Sequence, residues 1–136
     1  MSKILLAISD QWVVDERIDA IGRWALKLDA PILAVHVASG SQEGPRQGTS
    51  GEKTLRDITQ RLKAITPQVE SLLLFANDVV DGLLKTAEEH QVTMIMLGLS
   101  RQGVLERLIE GNVQRAILNA SRWPVLALPA DWSGNL

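Results

Sequence analysis

Four residues in the stretch from 98 to 112, two of them glycines and two of them polar, have the types and spacing of an anion-binding segment. Gly98 follows an apolar run, Arg101 comes shortly after it, and Gly111 and Asn112 are adjacent further on. Glycine lets a ligand approach the backbone closely, and asparagine caps a helix whose first N–H groups are unpaired donors. Arginine offers a bidentate donor to phosphate. The segment predicts a phosphate site, although a strand exit and a capped helix without any ligand have the same pattern.

Two hydrophobic periods define the elements that must position this segment. Short, nearly continuous apolar runs predict five strands buried on both faces: Lys3 to Ser9, Ile32 to Ala38, Val69 to Phe75, Val92 to Leu97 and Pro124 to Leu128. Helical spacing predicts four helices between them, with the inward stripes Val14, Ile18, Ile21, Ala25 and Leu28; Leu55, Ile58, Leu62 and Ile65; Val80, Leu83, Leu84 and Ala87; and Val113, Ile117 and Ala120.

Polar residues complete the prediction for these helices. On the first helix, five charged residues lie off the apolar stripe: Asp15, Glu16, Arg17, Asp19 and Arg23. Asn77 and Asp78 supply a cap for the third helix. The stretch Gly40 to Gly51 has no apolar residue and is expected to be a flexible loop.

Strands alternate with helices from end to end, which predicts an α/β fold: an open, five-stranded parallel sheet with helices on both faces. In such sheets, ligands bind outside the carboxyl ends of the strands, where the strand order reverses. The first and fourth strands are the natural central pair. Ser9 and Asp10 follow the first strand and Gly98 to Arg101 follow the fourth, so the segment lies at the expected place.

The bulk composition limits the kinds of protein this chain can be. Its 136 residues fit one domain, residues 1–136, and its net charge of -2 gives no reason to expect nucleic acid or an anionic membrane as partner. The absence of cysteine excludes disulfides, thiol catalysis and cysteine-ligated metal. The apolar start is too short for a signal peptide or a membrane span, so we expect a cytoplasmic protein.

Histidine and tryptophan add two expectations. His36, inside the second strand, is expected to be a satisfied core residue, and His90 lies at a helix C-terminus; neither has clustered carboxylates, so no metal site is predicted. Trp123 and Trp132 flank the last strand, which would be a sheet edge in need of a cover or a partner. We therefore expect a homodimer through Val125 to Leu128.

The residues of the opening segment resemble the signature of the universal stress protein family. That signature is a glycine, two residues, a glycine, nine residues and then Gly-Ser or Gly-Thr, and it follows the fourth strand. Its places here are Gly98, Arg101, Gly111 and Asn112. KILLAIS, AVHV and ASRWPVLALP fit as well, so the resemblance covers nearly the whole chain. It implies a Rossmann-like, adenine nucleotide alpha hydrolase-like fold, and a dimer through the last strand.

The resemblance also implies a set of cofactor-binding residues. In ATP-binding members the signature holds the phosphates and ribose, while an Asp ending the first strand and a Val ending the second serve the nucleoside. Carried over, the set is Ser9, Asp10, Val37, Gly98, Ser100, Arg101, Gly111, Asn112 and Val113. This chain departs from the pattern at Arg101, at Asn112 and at Ser9, since a serine lacks the two acceptors of a carboxylate.

The resemblance implies a regulatory or protective module in stress response that binds ATP, with magnesium, or a related adenine nucleotide. No nucleophile, base and orienting group converge in the sequence, so we do not expect an enzyme. The alternative is a non-nucleotide-binding dimeric interaction protein of the same fold, which Ser9 and Asn112 favour. A slow ATP hydrolase or phosphotransferase is a further alternative. A phospho-receiver domain is disfavoured because Pro129 and Ala130 follow the fifth strand, where a receiver needs lysine.

Overall fold

The fold alternates strands and helices, as the sequence predicts. The computed structural model describes residues 2–8, 15–38, 50–75, 78–98, 116–117 and 119–128. The elements are β1 Ile4–Ala7, α1 Asp15–Leu28, β2 Ile32–Ala38, α2 Ser50–Lys63, β3 Val69–Phe75, α3 Val79–Glu89, β4 Met94–Gly98 and β5 Val125–Leu128. Residues 116–117 and 119–120 are also helical, within the predicted fourth helix. In these described ranges, no helix is long and apolar enough to cross a bilayer.

The five strands form one open sheet in the order β3-β2-β1-β4-β5. Every neighbouring pair is parallel. The predicted parallel sheet and its central pair, β1 and β4, are therefore confirmed. The last strand is an edge of the sheet, as the sequence also predicted.

Helices cover both faces of the sheet, so the inner strands are largely apolar on both sides. The edge strand β3 corrects the prediction of burial on both faces, since its Glu70 and Ser71 are exposed. Successive side chains of a strand point to opposite faces. On one face, Ile4 and Leu6 pack in a cluster with Ile18 and Ile21 of α1 and with Ile58 of α2. We call this cluster the α1–α2 core.

On the other face, Leu5 and Leu33 pack in a cluster with Leu83 and Ala87 of α3 and with Ile117. We call this cluster the α3 core. Burying each such Leu or Ile side chain contributes about 1.5–3 kcal/mol to folding.

Local signals set the ends of the helices. The Asp78 carboxylate accepts a hydrogen bond from the Asp81 N–H at 3.0 Å and caps α3, as predicted; Asn77 lies outside the described residues. At the other end of α3, His90 is the C-cap and its N–H donates to the Thr86 carbonyl. Asp29 follows α1 and Gln91 follows α3. Their φ values are 52° and 55°, the left-handed conformation that is common just after a helix.

α1 is joined to α2 by an ion pair and to the turn after α2 by a close contact. Arg61 donates from Nε and Nη2 to the two carboxylate oxygens of Asp19, at 2.8 and 2.9 Å. The hydrogen bond from Arg61 is the main reason that the pKa of Asp19 lies below its usual value. A Cβ added at Gly22 would lie 3.1 Å from the side chain of Ile65, so the absence of a side chain lets the two segments approach.

Two residues of α1 correct the sequence prediction. Arg17, expected off the apolar stripe, is only 2% exposed. It stands one turn before Ile21 and two turns before Trp24 on the same side of the helix, and this position points it inward. Leu28, expected on the stripe, is 47% exposed. It is the last residue of the helix, one turn beyond the final buried residue, Ala25.

Several element boundaries also differ from the prediction. β1 is Ile4–Ala7 rather than Lys3 to Ser9, and β5 begins at Val125 rather than Pro124. The starts of β4 and α2 differ more. β4 begins at Met94 rather than Val92, because the chain first crosses to β1: the Thr93 and Met94 N–H groups both donate to the Lys3 carbonyl. α2 begins at Ser50, within the stretch expected to be loop. Its first turn is polar, so no apolar period marks its start.

Candidate functional site

The strand order reverses at the junction of β1 and β4. From β1 the chain passes through α1 to β2 on one side, and β4 is followed by β5 on the other side. In an open parallel sheet, the crevice between connections that leave in opposite directions is where ligands bind. The carboxyl ends of β1, β2 and β4 are therefore the candidate site.

Strand register places two of the predicted site residues at this edge. Ala7 of β1 is opposite Val35 of β2 and Leu97 of β4. Continuing each register, Gly98 stands level with Ile8, and Val37 stands one residue further along. Adjacent strands are about 4.8 Å apart, so Val37 and Gly98 flank the end of β1 at a separation of about 10 Å.

These two residues differ in their surroundings. Val37 is half-buried and packs against the α3 core, which leaves part of its side chain at the surface of the edge. Gly98 is still paired with Leu128 of β5, so it is the last residue of β4 rather than the first residue of the turn. An apolar side chain and a bare backbone on the two sides of β1 suit a flat, partly apolar ligand.

His36 ties β2 to the end of β1. Its side chain is 9% exposed, and its Nδ1 lies 2.8 Å from the carbonyl oxygen of Ile8. A carbonyl oxygen only accepts, so Nδ1 carries the proton and donates. The expectation of a satisfied core histidine is confirmed, and the position of its partner is the new finding.

Arg17 places a positive charge near the carboxyl edge of the sheet. α1 returns the chain from the carboxyl end of β1 to the amino end of β2, so its first turn, which contains Arg17, lies near the carboxyl edge. The burial of this cation does not follow from the apolar stripe predicted for α1. The available signal was its spacing of four and seven residues from Ile21 and Trp24.

The other predicted site residues lie outside the described residues: Ser9, Asp10, Ser100, Arg101, Gly111, Asn112 and Val113. The phosphate-binding half of the site therefore stays a prediction from the sequence. The described half consists of Ile8, His36, Val37 and Gly98 at the carboxyl edge.

Comparison with known proteins agrees with this geometry. The universal stress protein from Archaeoglobus fulgidus has a TM-score of 0.74 and 20% identity, with 93% of this chain and 98% of that chain covered. The universal stress protein from Archaeoglobus fulgidus in complex with dAMP has a TM-score of 0.73 and 18% identity, with 93% of this chain and 97% of that chain covered. A universal stress protein in complex with cAMP has a TM-score of 0.71 and 20% identity, covering 93% and 96%.

These identities are low, so the structural likenesses show a shared fold. The sequence has no significant match among curated proteins. The model of the universal stress protein family, however, matches residues 1–129, nearly the full length of the chain. The chain belongs to the universal stress protein family.

Proposed function

We propose that this protein is a small cytoplasmic regulatory or protective module of stress response that binds an adenine nucleotide at the carboxyl ends of β1, β2 and β4. The observation that carries the proposal is the reversal of strand order at β1 and β4, with Val37 and Gly98 on either side. Two solved relatives of the same fold are complexes with dAMP and cAMP, which supports an adenine nucleotide as the ligand.

In this proposal the two halves of the site have different tasks. Val37 offers an apolar surface to the base, and the Gly98 backbone permits close approach. Arg101 and the helix capped by Asn112 receive the phosphates. Magnesium enters with ATP, because it keeps most of its waters and binds largely through phosphate oxygens. The described residues contain no cluster of three potential metal ligands that would hold it independently.

Calorimetry tests nucleotide binding. Protein stripped of bound nucleotide is titrated with ATP and magnesium, and we expect a Kd of about 1–100 μM, a range that corresponds to roughly 5–8 kcal/mol. Val37→Ala should weaken binding, because it removes apolar surface from the base. Val69→Ala is the matched control, since it makes the same change at the amino edge of the sheet. Folded protein that releases no heat with any adenine nucleotide would end the proposal.

A dimer without nucleotide is the second candidate function. Ser9, where ATP-binding relatives place an aspartate, favours it, because one hydroxyl cannot replace a carboxylate toward ribose. If calorimetry shows no binding and the protein is dimeric, this candidate replaces the first. A turnover assay covers the remaining alternative: production of ADP would show a hydrolase, whereas we propose a protein that is not an enzyme.

The homodimer is part of both candidates, and we propose that it forms through the outer edge of β5, which pairs with no other described strand. A strand edge offers unpaired N–H and C=O groups to a second copy. The chain has no cysteine, so single substitutions report proximity cleanly. Under oxidation, Leu126→Cys on β5 should give a covalent dimer, and Ser71→Cys on the opposite edge strand β3 should not. A monomer by sedimentation at high micromolar concentration would contradict this proposal.

A further inference from the structure

The end of β1 is held by a side chain at the point where its backbone ladder stops. The Ile8 N–H donates to the Val35 carbonyl at 2.8 Å, and this is a normal parallel rung. The next acceptor along β1 is the Ile8 carbonyl, and it receives the His36 ring at 2.8 Å. His36 stands directly opposite Ile8, one residue beyond the registered pair Ala7 and Val35.

This bond lies inside the molecule rather than on its surface. Ile8 is 4% exposed and His36 is 9% exposed. A buried carbonyl without a partner costs about 1–3 kcal/mol, so the bond is retained in the folded state. A ring carried by strand β2 therefore fixes the Ile8 carbonyl, the last one that the structure describes at the end of β1.

We propose that His36 is a positioning residue of the nucleotide site. It does not touch the nucleotide; it fixes the Ile8 carbonyl and with it the carboxyl end of β1, which borders the proposed ligand crevice. This inference rests on the nucleotide binding proposed above. It assigns a functional consequence to a histidine whose sequence context indicates only a core residue.

Substitutions at residue 36 separate the bond from the bulk of the ring. Asparagine carries its amide N–H₂ the same number of bonds from Cβ as histidine Nδ1, glutamine carries it one bond further, and leucine has no donor. Thr86→Val is the matched control. The Thr86 side chain is only 4% exposed, and its hydroxyl donates a hydrogen bond of 2.8 Å to the Gly82 carbonyl within α3. The substitution removes this bond.

The expected result is a split between the variants. His36→Leu should raise the Kd for ATP about tenfold, whereas His36→Asn and Thr86→Val stay within about twofold of the unsubstituted protein. If His36→Leu does not fold, the comparison of His36→Gln with His36→Asn replaces it, because both are amides that differ in reach. If the folded variants that lack a correctly placed donor bind ATP as tightly as those that have one, the proposal is overturned.

Two ligand-free measurements distinguish failure of this inference from failure of nucleotide binding. Long-range ¹H–¹⁵N correlation should show His36 protonated at Nδ1, and the opposite neutral tautomer would overturn the proposal. Amide exchange just after Ile8 should be about tenfold faster in His36→Leu than in Thr86→Val. If the unsubstituted protein binds no nucleotide, the proposed function fails by itself, and the exchange rates still decide whether His36 anchors the end of β1.

Discussion

The ion pair between Asp19 and Arg61 is the clearest electrostatic interaction at the level of single residues. Its geometry is bidentate, yet the two side chains are 29% and 42% exposed, so water screens most of the attraction. The pKa of Asp19 is lowered mainly by the hydrogen bond from Arg61. A lowered carboxylate pKa means that the folded state binds protons less readily than the unfolded state, so the pair stabilises the protein only while Asp19 is ionised.

Replacing Asp19 with asparagine should therefore destabilise the protein in a pH-dependent way. At pH 7 we expect the free energy of unfolding to fall by about 0.5 kcal/mol. The difference should be present above the usual value of 3.8 and disappear as the pH falls through the lower folded-state pKa. Urea titrations from pH 7 to pH 2.5 measure it, with Asp57→Asn as a control of the same chemistry on α2. A constant difference across this range would contradict the assignment.

Gln91 has a backbone conformation that favours glycine. Its φ of 55° lies in the left-handed region, and its side chain is exposed. Gln91→Gly should raise the free energy of unfolding by up to about 1 kcal/mol, because glycine adopts this conformation without a steric penalty. Gln91→Ala should leave stability nearly unchanged, since alanine has the same backbone restriction as glutamine. Thermal unfolding of the two variants gives the answer, and a destabilised Gln91→Gly would refute the argument.

The contact of α1 with the turn after α2 couples a residue inside the helix to the packing of a residue outside it. Gly22 lies within α1, where glycine costs about 1 kcal/mol relative to alanine. A Cβ there would stand 3.1–3.3 Å from three carbon atoms of Ile65, so Ile65 would have to move. The helix propensity of residue 22 and the packing of residue 65 are therefore coupled.

A double-mutant cycle measures this coupling. Gly22→Ala alone should change the free energy of unfolding by less than about 1 kcal/mol, because the gain in helix propensity is offset by crowding. In an Ile65→Ala background, the same substitution should be stabilising by about 1 kcal/mol, since the crowded atoms are gone. Additive effects of the two substitutions would show that the contact is not tight in solution.

Element boundaries show which parts of the fold a sequence determines locally. β2 agrees with its predicted bounds because it is a buried apolar run that directly follows Pro31. β3 also agrees, although only Val69 is buried, because Pro67 ends the preceding segment and the run closes with four apolar residues. The predicted start of β4, Val92, is two residues too early, because Val92 is apolar and buried but does not pair with a neighbouring strand. The start of α2 was missed because its first turn is polar and its stability comes from later residues that pack on the sheet.

Site residues divide in the same way. The positions of Val37 and Gly98 followed from the predicted strands, and register confirms that both stand at the carboxyl edge. The partner of His36 and the burial of Arg17 depend on contacts between elements, which no local pattern contains. The phosphate half of the site stays a prediction, because residues 99–115 lie outside the described parts of the chain.

Ligand binding has a consequence for the stability of the whole molecule. A nucleotide that binds only the folded state should raise the free energy of unfolding by about 2.7 kcal/mol at 100 times its Kd. Thermal unfolding with ATP, cAMP and inorganic phosphate measures this, and the phosphate arm shows how much of the effect a bare anion produces. No shift with any adenine nucleotide at millimolar concentration would contradict nucleotide binding.

The central place of β1 also has a consequence for how the chain folds during synthesis. Of the five strands, β1 is synthesised before the others, and its β2 side can pair early, yet its other neighbour is β4, which ends at Gly98. Until β4 emerges, the central strand of the finished sheet has a bare, apolar edge that can pair with another chain. A nascent chain released before Gly98 would therefore aggregate through β1, the strand that becomes the most protected once synthesis is complete.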